Sequence, residues 1–172
     1  MPFDRGDRFE DPLDRAIKKS GFGEVTGGDT GQQPTGEIDH SGIDIDVVDI
    51  EQGIPFITAT LDRLGAPKGS HLEYKHNGQS HTVPFGSLEG IGIYLNGTDL
   101  PPEVYEESDI NVVIETIHKL LKGKGSAQDF WEGPSETALY LYGPSADAML
   151  AAVQAFIASE PLCQKARVVR IA

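Results

Sequence analysis

Cysteine is nearly absent. Cys163 stands alone among 172 residues, so no disulfide can close within the chain, and a disulfide-stapled secreted scaffold is excluded. Long apolar runs are missing as well, none approaching the ~18 residues that a membrane helix requires, so no membrane partner is expected. The opening residues, Met1 to Arg8, are charged and lack the apolar stretch of a secretory signal, and a cytoplasmic location is the expectation that follows. Basic residues are scarce: 14 Lys and Arg stand against 27 Asp and Glu, for a net charge of −13. From Ser20 to Asp62 there is no Lys or Arg at all, yet nine carboxylates. A phosphate backbone is repelled by such a segment, so nucleic-acid binding is not expected, whereas basic proteins and divalent cations are attracted.

What is present suits a globular chain rich in loops, with 38% apolar residues, 20 Gly and 11 Pro. The most legible stretch is Gly42-Ile-Asp-Ile-Asp-Val-Val-Asp49. Its apolar and acidic residues alternate with period two, predicting a strand with Ile43, Ile45 and Val47 inward and Asp44 and Asp46 on the opposite face. Before it, residues 1–10 read as a flexible charged arm, and Asp11-Pro12 as a helix cap followed by a first-turn proline, with Gly21 as the stop. Phe22 to Thr26 reads as a strand, and Gly27 to Gly42, dense in Gly, Pro, Asp and Thr, as turn or loop. A helix is predicted over Gln52 to Leu64 and a hairpin at Asn77-Gly78 between strands 70–75 and 81–85.

The second half repeats this grammar: a strand at 91–95, a polar loop to Glu107, and a helix capped by Ser108. Strands near 127–132 and 137–142 follow, then a helix capped by Ser145 and a last strand at 167–171. Strand, helix, two strands, helix, strand is the ferredoxin-like order. The expected fold is therefore α+β, two ferredoxin-like halves (11–86 and 90–172) in a duplicated antiparallel-sheet sandwich with helices on one face. The uncovered sheet face would carry Asp44, Asp46, Glu73 and His71 in the first half, with Glu24 a candidate on a neighbouring strand, and Tyr94, Tyr140 and Tyr142 in the second. Such a surface is suited to binding, with Asp39, Asp44, Asp46 and Glu73 pairing with a partner's basic residues.

Gly27-Gly28-Asp29 followed by Asp44-Ile45-Asp46 resembles the nucleotidyltransferase pattern, in which a Gly-Gly turn precedes two carboxylates that hold a divalent metal. Gly27-Gly28-Asp29 is also similar to the catalytic hairpin of cyclic-dinucleotide synthases. These resemblances imply metal-dependent phosphoryl or nucleotidyl transfer at Asp44 and Asp46. Two features of the patterns are missing here: a helix opening directly at the glycines, and a nearby basic residue to hold a triphosphate. The spacing of Asp44, Asp46, Asp49 and Glu51 lacks the turn glycine of a calcium loop. His71, His76 and His81 flank the hairpin without zinc-ligand spacing, and Cys163 between Leu162 and Gln164 reads as a small buried residue. No catalytic residue and no cofactor is expected on this reading.

The leading functional expectation is a binding or inhibitory protein that offers an acidic sheet face to a basic partner protein. An immunity protein that neutralises a basic toxin is its concrete form. The alternatives are the metal-dependent transferase and a small-molecule-sensing or dimerisation module, in a chain that is monomeric or homodimeric.

Overall fold

The computed structural model describes residues 5–172, a mixed α and β chain with small antiparallel sheets and five α-helices among those residues. Its contacts divide it into two units, one ending at Ser87 and the other beginning at Leu88.

In the first unit a helical turn, Gly6–Glu10, runs straight into α1 (Asp11–Ser20). Phe9, Leu13 and Ile17 recur at four-residue spacing and are all buried, which places one face of this helix in the core. Gly21, at φ 73°, closes it with an N–H directed at the Ile17 and Lys18 carbonyls. The flexible arm expected over 1–10 thus needs correction: residues 1–4 lie outside the described residues, and 5–10 are helical because Phe9 joins the buried stripe. Asp11 is consequently not a cap, since the chain is already helical at Glu10.

The strands β1 (Gly23–Gly27), β2 (Thr30–Gln32), β3 (Ile38–Ser41) and β4 (Asp44–Val47) make one doubled-back ribbon. β1 pairs with β4 and β2 with β3, both antiparallel, and Asp29 and Gly42 exchange backbone hydrogen bonds (3.2 and 2.8 Å) at the joint between them. Gln33 and Gly36 turn the tip, with Gly36 at φ 85°. Half of the segment expected to be loop, 27–42, is therefore strand. Its glycines and threonines signal turns locally, but a ladder partner decides the conformation.

The helix α2 (Ile50–Leu64) begins at Asp49, whose side chain accepts from the Gln52 N–H at 3.1 Å, and ends at Gly65 with φ 90°. β5 (Ser70–His76) and β6 (Gln79–Phe85) form the predicted hairpin, with Asn77 and Gly78 both at positive φ as a two-residue turn requires. Phe9, Leu13, Ile17, Ile57, Leu61 and Ala66 form the core of this unit, and Ile45, Val47, Leu72 and Phe85 pack on it. The strands of the unit stand as separate two-stranded pairs, so its sheet does not repeat that of the second unit.

The second unit runs β7 (Glu89–Asn96), α3 (Pro102–Glu107), α4 (Ile110–Leu120), β8 (Ser126–Glu132), β9 (Glu136–Gly143), α5 (Ala146–Ser159), a 3₁₀ turn at Pro161–Cys163 and β10 (Arg167–Arg170). Its four-stranded sheet has the order β10-β7-β9-β8, with every neighbouring pair antiparallel. Ile91, Ile93, Leu139 and Leu141 meet Val113 and Ile117 of α4 and Met149 and Val153 of α5 in a fully buried cluster. Two local expectations are corrected. The polar loop after β7 contains α3, which Pro102 opens from a position where its missing N–H costs nothing. Asp109, not Ser108, caps α4 by accepting from the Asn111 N–H at 2.8 Å. No helix among the described residues is long and apolar enough to cross a membrane.

Candidate functional site

The acidic stretch folds as its period demands. Along β4, Ile45 and Val47 turn toward α1 and α2, while Asp44 and Asp46 are exposed. The ladder sets Glu24 opposite Asp46 and Gly27 opposite Asp44, so three carboxylates share the outer face of the ribbon. Among the described residues the cation against this group is Lys18 of α1, which bonds Asp14 at 2.9 Å and Glu24 at 3.3 Å. Those contacts hold the ammonium pKa above its ordinary value, Asp14 first and Glu24 second. Asp14 moves the other way, because it accepts from Lys18 and from the Val25 N–H. Asp44 and Asp46 have no side-chain hydrogen bond or ion pair among the described residues. Val48, just beyond the strand, is 81% exposed.

Asp39 and His40 occupy the outer part of the same ribbon. Both nitrogens of His40 face carboxylates, Nδ1 to Asp39 at 3.3 Å and Nε2 to Asp29 at 3.4 Å, which raises its pKa above the ordinary histidine value. Arg5 supports the joint from behind by donating to the Asp29 carbonyl (2.6 Å) and the Thr30 hydroxyl (3.0 Å), and it pairs with Glu10. Sequence reasoning missed Arg5, Lys18, Asp29 and His40 as parts of this surface. The only local hint was the glycine at 31 and at 42, and its meaning depends on the ribbon register.

The other expected site residues lie elsewhere. Glu73 is on β5, opposite Thr82, in a hairpin that shares no ladder with the ribbon, and its near neighbour is His71 at 3.6 Å. Tyr94 is only 5% exposed: its ring lies back over Gly92, meets Tyr140 edge-on at 6.4 Å and carries the Arg167 guanidinium 3.7 Å from its centre. It is therefore not an open contact residue. Alternation put it correctly on the face away from the helices, but glycine beside it lets the ring lie flat. Tyr140 and Tyr142 are half-buried.

The features behind the transferase resemblance take other places. Gly27-Gly28-Asp29 is neither a hairpin tip nor a helix start, since it lies mid-ribbon against Gly42. Among the described residues no three His, Cys, Asp or Glu side chains come together as metal donors. His81 stacks on Tyr74 at 5.0 Å, with His71 opposite Pro84 and His76 opposite Gln79 in the ladder. Cys163 is buried, and desolvation pushes its thiol up to about 11. A half-open cleft of about 420 Å³ at the end of β7 is lined by Asn96, Tyr105, Ser108, Glu132 and Thr137, with Leu95 and Leu162 beneath. Set against protein-family models, curated proteins and solved structures, the chain matches none.

Proposed function

We propose that this chain is a protein-binding module whose acidic ribbon docks a basic partner protein, in the manner of an inhibitor that neutralises a cationic toxin. The observation that carries this reading is the outer row of Glu24, Asp44 and Asp46, with Asp29 and Asp39 farther along, where Asp44 and Asp46 meet no cation among the described residues. Like charges opposed across a ladder oppose folding. The same carboxylates accelerate encounter with a basic surface, and the gain falls as salt is added. Nuclease toxins are basic because they hold phosphates, which makes them the partner class with the matching charge. The second unit we read as a ferredoxin-like sandwich, from its order of strands and helices; it serves here as scaffold.

The test is association kinetics against a set of basic nuclease domains, with acidic proteins of similar size as controls. A basic member should bind, with an association rate that falls about tenfold or more between low and physiological salt. The double reversal Asp44→Lys, Asp46→Lys should lower that rate further while leaving the circular dichroism unchanged. Equal rates for wild type and double reversal at every salt concentration, or no preference for basic proteins, would overturn the proposal.

A further inference from the structure

The outer half of the ribbon has little to hold it. No residue from 28 to 41 enters the hydrophobic core of the unit, and β2–β3 has only the pairs Thr30↔Ser41, Gly31↔His40 and Gln32↔Ile38, with a register shift among them. A two-stranded ribbon of this length is marginal by itself. Two glycines make room for a side-chain fastening across it. A Cβ at Gly31 would fall within the His40 ring, and one at Gly42 would fall on the Asp29 carboxylate. Each side chain thus lies over the glycine opposite it, and the two meet diagonally, Asp29 to His40 Nε2, while Asp39 holds Nδ1.

We propose that His40, Asp29 and Asp39 form a proton-operated clasp that orders the β2–β3 half of the ribbon when the imidazole is charged and frees it when the proton leaves. An imidazolium donates from both nitrogens and satisfies both carboxylates. A neutral ring donates from one and turns a lone pair toward the other carboxylate, so one contact must open. The charged groups around the ring are Asp29 at the β1–β2 joint, Asp39 on β3, and Arg5 with its partner Glu10 behind the Asp29 carbonyl. Arg5 grips backbone and keeps the joint in place in either state. The raised histidine pKa agrees in sign: the fastening is complete below the ordinary histidine value and is lost as pH rises through the higher folded one. The clasp stands whether or not the ribbon docks a partner.

The experiment is an NMR titration of the intact chain from about pH 5 to about pH 8, following the His40 ring and the backbone order parameters of Gly31 and His40. His40 should titrate above the ordinary histidine value, and Asp29→Asn and Asp39→Asn should each lower its midpoint. The order parameters should fall from about 0.85 to below about 0.6 through that midpoint, while those of Glu24 and Asp46 stay level. In His40→Gln they should be low at every pH. A wild-type His40 midpoint at the ordinary value, or order parameters that stay level while the ring titrates, would overturn the clasp. Wild type alone supplies both of those readings.

Discussion

Glu24 and Asp46 face one another across the β1–β4 ladder with both carboxylates turned to solvent, and Lys18 reaches only the first of them. Like charges in this relation weaken a two-stranded pair. Asp46→Asn should therefore stabilise the first unit by ~0.5 kcal/mol, read as a higher urea midpoint with an unchanged slope, and the gain should shrink at high salt. A loss of stability would mean that Asp46 has a favourable local role, contrary to its placement.

Gly31 and Gly42 are required by the side chains opposite them and not by a positive φ. Gly31→Ala places a methyl group where the His40 ring lies. The His40 midpoint should fall toward the ordinary histidine value in this variant, without loss of the β1–β4 pairing. An unaltered midpoint would show that the ring reaches its carboxylates by another path.

Asp14 links α1 to β1 by accepting from the Val25 N–H at 2.9 Å while bonding Lys18. Its pKa is depressed, so the stability it provides is present above the ordinary aspartate value and is lost as pH falls through the lower folded one. Lys18, raised, adds stability that persists below the ordinary lysine value and disappears as pH climbs through its folded one. Asp14→Asn should flatten the acid limb of the stability curve, and thermal melts at a series of pH values measure it. An acid limb as steep as in wild type would assign that loss to other carboxylates.

Cys163, buried in the second unit's core and with its thiol pushed up to about 11, carries almost no thiolate near neutral pH. A thiol reagent should label the folded chain far more slowly than the urea-unfolded one, with rapid labelling beginning at the unfolding transition of this unit. Stoichiometric labelling of the native chain within seconds would refute this.

Arg167 donates twice to Glu136 (2.8 Å each) and stacks on Tyr94, tying edge strand β10 to the middle of the sheet. Half-exposed as this pair is, its removal should cost about 1 kcal/mol. Arg167→Lys should recover little of what Arg167→Ala loses, because an ammonium neither forks onto a carboxylate nor stacks as a plane. Denaturation midpoints of the two variants decide it, and full recovery by lysine would reduce the contact to simple charge pairing.

Much of the local structure was legible because its causes are local. The alternation from Ile43 to Val47 states which side chains turn inward, Asn77-Gly78 supplies the two positive φ angles of a tight hairpin, and Ser145 caps α5 by accepting from the Ala148 N–H at 3.2 Å. Phe9 was missed because a single aromatic residue before a proline gives no periodicity of its own; it gains meaning only as the first member of the stripe continued by Leu13 and Ile17. The candidate surface was half legible: Asp44 and Asp46 could be read from one strand and Glu24 from a neighbouring one, but Asp29 and His40 join them through pairing across the ribbon.

Sequence alone determined the exposed acidic face, since a period of two and a lack of cations are properties of consecutive residues. It also determined some helix ends, the stop of α1 at Gly21, that of α2 at Leu64 and the start of α5 at Ser145, where a cap bonds a backbone group a few positions away. Tertiary structure decided that 28–41 pairs as a ribbon, that Glu73 stands on a separate hairpin and that Tyr94 lies buried beneath Arg167. Each of these depends on which strand lies beside which, and ladder register is fixed by contacts between residues far apart in the chain.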